Sequence, residues 1–232
     1  MTASRQKITV ADGTFDAYVA RPAQAQAPAV VVIQEIFGVN HVMRDVADGL
    51  AAQGFLAIVP DLFWRIEPGI ELTDHSEAEW KRAFELFNAF DVDKGVADIA
   101  ATVTQIRQDP GCSGKVGCVG YCLGGLLAYL TATRTDVDAS VGYYGVGLDK
   151  HLDAAENLKR PLLLHIAELD GFCPPAARDA IVAGLSGQPH VELMIYPGRD
   201  HAFARVGGEH YDAADAARAN AATLALFRRA LA

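Results

Sequence analysis

Three residues in this chain carry side chains that together could perform acyl transfer: Cys122, Asp170 and His201. A thiolate attacks a carbonyl carbon, an imidazole carries protons to and from the reacting oxygens, and a carboxylate holds the imidazole in the useful tautomer. Cys122 sits at the apex of Val119-Gly120-Tyr121-Cys122-Leu123-Gly124-Gly125, between an apolar run (Lys115 to Val119) and a segment apolar on every side (Leu126 to Leu130). That order predicts strand, sharp turn and helix, with the flanking glycines required because a Cβ would clash where strand and helix backbones meet. A cysteine so placed lies at a helix N-terminus, where unpaired N–H groups and the helix dipole favour a thiolate. The structural alternative is a small buried thiol beside a glycine-rich turn.

The elements around these residues are legible in their periodicity. Gln6 to Val10 and Thr14 to Ala20, joined at Ala11-Asp12-Gly13, read as an antiparallel hairpin. Pro22 to Pro28 is a connector, and Ala29 to Gln34 is a short apolar run of the kind buried on both faces of a parallel sheet. It runs into Gln34-Glu35-Ile36-Phe37-Gly38, where a carboxylate follows a buried strand. Asn40 caps a helix with Val42, Val46 and Leu50 inward, ended by Gly54. Phe55 to Val59 is the next strand, and residues 61 to 76 read as loop. Ser76 to Phe90 is helical, with Trp80, Phe84, Phe87 and Phe90 forming a core-facing stripe. Val92, Val96, Ile99, Val103 and Ile106 define another helix, stopped by Pro110.

After the turn at Cys122 come strands at Ala139 to Tyr144, Pro161 to Ala167 and Val191 to Tyr196, and a helix over residues 175 to 186. The last helix turns Tyr211, Ala214, Ala221, Leu224, Phe227 and Leu231 toward the core. Helices alternate with buried strands from residue 29 onward, which predicts one mostly parallel sheet of about eight strands, helices on both faces, in a single domain over residues 1–232. Cys122, Asp170 and His201 each follow a strand, so the fold gathers them at one sheet edge. Nucleophile, acid, histidine is the chain order of α/β-hydrolases. The N–H of Leu123 and that of Ile36 are the expected oxyanion donors.

Composition narrows the partners. With 20 basic and 29 acidic residues the chain carries −9, which argues against a nucleic acid partner. Neither a signal-peptide pattern nor a membrane-spanning apolar run is visible, so a cytoplasmic protein is expected. The chemistry of Cys122 and His201 points to a small lactone or ester as substrate, and a monomer or weak dimer is expected. Cys112, Cys118, Cys122 and Cys173 have no metal-ligand spacing, so no metal is expected, and Cys118 reads as core. His41, His75, His151, His165, His190 and His210 read as surface or hydrogen-bonded structural residues.

The chain resembles the dienelactone hydrolases (carboxymethylenebutenolidases) over nearly its whole length. The resemblance rests on Gln34 to Asn40, Gly117 to Gly125 with Cys122, Val141 to Gly147, and Gly198 to Arg205. It implies an α/β-hydrolase fold, hydrolysis of an enol-lactone (dienelactone to maleylacetate) in the breakdown of chloroaromatics, and no organic cofactor. It also implies a Cys122–His201–Asp170 triad in which Glu35 takes the thiol proton when substrate binds. In the pocket the chain departs from the family pattern. Arg205 matches an arginine that binds the substrate carboxylate, but Phe84 stands where a tyrosine is expected and Trp80 where a second arginine is. Ala202 replaces a serine, and Phe37 completes the expected pocket. A single arginine binds a carboxylate less well than a pair, which points to a less anionic or bulkier substrate. A broad carboxylesterase or thioesterase, or a noncatalytic ligand-binding or redox-sensing protein on the same scaffold, are the competing readings.

Overall fold

The computed structural model describes residues 2–232. Strands β1 (Thr2–Val10), β2 (Gly13–Arg21), β3 (Ala27–Ile33), β4 (Leu56–Pro60), β5 (Cys112–Tyr121), β6 (Ala139–Tyr143), β7 (Leu162–Ala167) and β8 (Val191–Tyr196) form an eight-stranded sheet in the order β1-β2-β4-β3-β5-β6-β7-β8. β1 and β2 pair antiparallel, as does β2 with β4, whereas β3–β4, β6–β7 and β7–β8 are parallel. The α-helices among the described residues are α1 (His41–Ala52), α2 (Glu77–Ala89), α3 (Val92–Arg107), α4 (Leu123–Arg134), α5 (Pro175–Leu185) and α6 (Ala213–Ala230). A 3₁₀ helix, Leu148–Asn157, kinked at His151, precedes β7. No helix among the described residues is long and apolar enough to cross a membrane. The chain divides into two compact units, the first ending at Cys118 and the second running from Val119 to Ala232.

In the first unit the helices start where their caps dictate. The side chains of Asn40, Ser76 and Asp91 accept the N–H groups of Met43, Glu79 and Lys94, satisfying donors that a helix leaves open at its first turn. Residues 61–76 have no regular structure, yet they are fastened to the segment after β3. Val39 donates to the Ile70 carbonyl at 3.1 Å, Leu72 to that of Phe37 at 2.9 Å, and the Asn40 side chain to that of Leu72 at 2.9 Å. The Asp61 carboxylate, buried, accepts the N–H groups of Phe63 and Gly69.

Two faces in this unit differ from the periodic reading. α1 buries Met43, Ala47 and Leu50, with Val42 and Val46 at the margin of that stripe. α2 buries Ala83 and Leu86, so its aromatic stripe is not core: Phe84 is 38 % exposed and Trp80, Phe87 and Phe90 are half-buried. Small and medium side chains let the helix seat closely, and the bulky rings are left at the flank, where Trp80 stacks on Phe84 and Phe90 meets Phe63 edge-on.

In the second unit α4 is buried on every side, as its unbroken apolar sequence requires. α6 buries Phe227, and Leu231 just past its end, as expected, but its N-terminal half is rotated from the expected orientation. It buries Ala216, Ala219, Thr223, Leu226 and Phe227, and Tyr211, Ala214 and Ala221 face solvent. Thr223 explains the rotation, because its hydroxyl is taken inside by hydrogen bonds to Tyr143 and His165, a polar anchor that an apolar periodicity does not register.

Candidate active site

β5 ends at Tyr121, and α4 starts two residues later, so Cys122 is the whole turn. Its backbone has φ 58° and ψ −117°, a region an L-residue enters only when its surroundings force it. Gly120 makes this possible: a Cβ there would lie 1.8 Å from the carbonyl oxygen of Gly124. The turn is pinned from the next strand, where the Tyr143 carbonyl accepts the Cys122 N–H at 3.1 Å, and the Cys122 carbonyl accepts from Gly125 at 2.9 Å. Cys122 is 8 % exposed at the start of a twelve-residue helix whose first N–H groups, including that of Leu123, have no carbonyl one turn back to bind.

His201 and Asp170 reach the same place from two loops. Asp170 lies three residues past β7 and is fixed by its own turn, where its carboxylate accepts the Phe172 N–H at 2.9 Å and its carbonyl that of Cys173 at 3.1 Å. His201 Nδ1 is 3.0 Å from both carboxylate oxygens of Asp170, and both side chains are buried. The His201 side chain also hydrogen-bonds that of Cys122. Burial alone would drive the imidazole toward its neutral form, but the interactions with Cys122 and with the Asp170 carboxylate overcome it, and the His201 pKa rises to about 10. The arrangement therefore favours the imidazolium form of His201.

Three further residues complete this corner, none of them singled out by the sequence reading. Asp200 bridges the two loops, accepting the Gly171 N–H at 2.8 Å and the His201 N–H at 2.6 Å. Its partial burial opposes the charge, yet these N–H groups hold its carboxyl below the ordinary range. The rings of Tyr144 and Phe172 stand edge-on to the imidazole at centroid distances of 5.0 and 4.8 Å. An Asp immediately before a loop histidine is the only cue the sequence offers, and it is also an ordinary turn residue.

The remaining expected site residues come from other segments of the chain. Arg205 is half-buried, four positions past His201 on the same loop. In the first unit Glu35, Ile36 and Phe37 follow β3, all buried, with Glu35 at 2 % exposure. Trp80 joins Phe37 in an edge-on pair at 5.1 Å and stacks on Phe84 at 5.6 Å, so the three expected pocket aromatics form one cluster. The indole N–H of Trp80 is already given to the Asp74 carbonyl at 3.0 Å, which leaves the cluster with ring surface rather than donors to offer. The neighbouring cation on α2, Arg82, is held by Glu67 and Glu85.

The family model for the dienelactone hydrolase family matches residues 15–231. The chain belongs to the dienelactone hydrolase family. A protein of Azospirillum brasilense is 50 % identical over 224 residues, covering 95 % of each chain. The carboxymethylenebutenolidase of Pseudomonas putida is 44 % identical over 207 residues, covering 89 % of this chain and 88 % of its own. Among solved structures, a Klebsiella pneumoniae protein superposes with a TM-score of 0.86 at 28 % identity over 98 % of both chains. Membership in this family makes the chain an α/β-hydrolase and a hydrolytic enzyme, in agreement with the sheet order and the hairpin at its N-terminal edge.

Proposed function

We propose that this dienelactone hydrolase family member opens an enol-lactone of the dienelactone type to a maleylacetate-like acid, in the catabolism of (chloro)aromatics, with residues 1–232 acting as a single hydrolase domain in the cytoplasm. The observation that carries the mechanism is the chain of contacts from Asp170 through His201 to Cys122, with the cysteine on a strained helix start. Cys122 Sγ attacks the lactone carbonyl carbon. As the ring C–O bond breaks, the leaving oxygen takes the proton of the His201 imidazolium, and the acyl group remains as a thioester. Water then attacks the thioester while neutral His201 accepts its proton, the C–S bond breaks, and the sulfur departs as thiolate beside the re-formed imidazolium. Asp170 keeps His201 Nδ1 protonated throughout, so that Nε2 is the atom that exchanges protons.

In this reading the N–H groups of Leu123 and Ile36 stabilise the oxyanion of both tetrahedral intermediates. Glu35 accepts the thiol proton whenever the sulfur rests protonated, the role the family resemblance assigns to it. Arg205 binds a substrate carboxylate. Phe37, Trp80 and Phe84 receive the rest of the substrate, and because they offer ring faces, a flat conjugated or aryl substituent suits them better than a second carboxylate. That last feature favours a second reading, a broader carboxylesterase that takes uncharged aryl esters.

Product analysis on a lactone panel, half of it bearing a carboxylate, distinguishes the two. Ring-opened acids from the carboxylate-bearing lactones, at the higher kcat/KM, support the lactonase. Turnover confined to uncharged esters overturns it in favour of the esterase.

A further inference from the structure

Below the loops that carry Asp170 and His201, the second unit contains a chain of five hydrogen-bonded polar side chains, buried except at its Asn220 end, that the mechanism above does not use. His165 on β7 is 1 % exposed. Its Nδ1 lies 2.8 Å from the hydroxyl of Tyr196, the last residue of β8, and its Nε2 lies 3.0 Å from Thr223 Oγ1 on α6. Thr223 is 2.7 Å from the hydroxyl of Tyr143, the last residue of β6, and Tyr143 donates to Asn220 Oδ1 at 2.9 Å.

The proton positions follow from counting donors. Tyr143 has one hydroxyl proton and gives it to Asn220, so it accepts from Thr223. Thr223 then has none left for His165 and accepts from Nε2–H. A neutral imidazole carries one N–H, so Nδ1 accepts the proton of Tyr196. The chain is directed from Tyr196 through His165, Thr223 and Tyr143 to Asn220; the Tyr196 hydroxyl also lies 3.8 Å from the Met194 sulfur, a longer contact than the 2.8 Å to the ring nitrogen. Neutrality agrees with the surroundings. Burial pushes the His165 pKa down to about 3, Arg218, stacked on the Tyr196 ring, adds to the effect, and among the described residues no carboxylate is hydrogen-bonded to the ring.

The three strand ends that this chain joins lead directly into the reacting groups. Tyr143 pins Cys122 through its carbonyl, β7 continues into Asp170, and β8 continues into the turn before His201. His165 also holds Tyr144, whose N–H binds the His165 carbonyl at 2.8 Å and whose ring lies against His201. We propose that His165, as the neutral tautomer protonated on Nε2, is a positioning residue that locks β6, β7, β8 and α6 together and thereby holds Asp170 and His201 in register with Cys122. The inference rests on the triad reading given above.

The test has two arms. In the ¹⁵N-histidine-labelled protein, two-bond nitrogen–proton correlations are expected to report His165 as the Nε2–H tautomer, without titration between about pH 5 and 8; an Nδ1–H tautomer or a titration there overturns the proposal. In kinetics, Thr223→Val, which removes the hydroxyl at nearly constant volume, is expected to lower kcat by about tenfold to a hundredfold with KM little changed and to lower the His201 pKa, while Thr223→Ser restores both. A folded Thr223→Val enzyme with wild-type kcat, or a Ser variant no better than Val, overturns it. If Thr223→Val does not fold, Tyr196→Phe removes a hydroxyl at the other end of the chain and is read in the same way. Turnover that survives Cys122→Ala would overturn the triad and the catalytic meaning of this chain of bonds while leaving the His165 tautomer intact, which separates the two failures.

Discussion

Two histidines buried in the second unit behave in opposite ways, and the regions around them explain why. His165 is enclosed by hydroxyl groups, and desolvation acts without a counter-charge, so its pKa falls to about 3. His201 is also desolvated, but a thiol and a carboxylate flank its ring, and its pKa rises to about 10. Burial alone makes an imidazole a neutral strut; burial between two groups that can carry negative charge makes it a proton carrier.

The largest effect that could break this contrast is at the sulfur. Cys122→Ala is expected to lower kcat/KM by about four orders of magnitude or more with an unchanged circular dichroism spectrum, and Cys122→Ser by at least about a hundredfold, because a hydroxyl is far harder to deprotonate. Asp170→Asn removes the other anion and is expected to cost about a hundredfold to ten-thousandfold in kcat, since His201 loses both its cationic bias and its tautomer. A concurrent fall of the His201 pKa, followed by NMR, checks the cause.

Stability against pH should separate the two histidines with opposite signs. His201 has a folded pKa above its ordinary 6.5, so its contribution is complete below about pH 6.5 and is lost as pH rises through about 10. His165 has a folded pKa below 6.5, so its contribution is complete above about pH 6.5 and is lost as pH falls toward about 3. Calorimetric melting temperatures should fall on both sides, and His165→Gln should flatten the acid side alone. The smallest effect belongs to the first unit: Trp80→Ala is expected to raise KM for an aryl ester about three- to tenfold and leave kcat near the wild-type value, which steady-state kinetics on phenyl and methyl esters would detect.

The contrast also marks what the sequence could reveal. The turn at Cys122 was legible because its cause is local, two glycines around one cysteine between an apolar strand and an apolar helix. Helix starts at Asn40, Ser76 and Asp91 are set by local caps in the same sense, although only the first two mark boundaries in the sequence reading. Chain order picked out Asp170 and His201, because strand ends can be counted. Nothing near His165 distinguishes it from the five other histidines outside the triad, since its partners lie 31 and 58 residues away. For the same reason the orientation of α6, set by Thr223, and the exposure of the α2 aromatics escaped an argument from periodicity.

The most direct measurement is a rapid-quench intact-mass experiment with p-nitrophenyl acetate. The account predicts an acetyl adduct, formed in the pre-steady-state burst, confined to the peptide that contains Cys122, cleaved by neutral hydroxylamine and absent from Cys122→Ala. Steady turnover with no adduct at that cysteine, undiminished in Cys122→Ala, would contradict it.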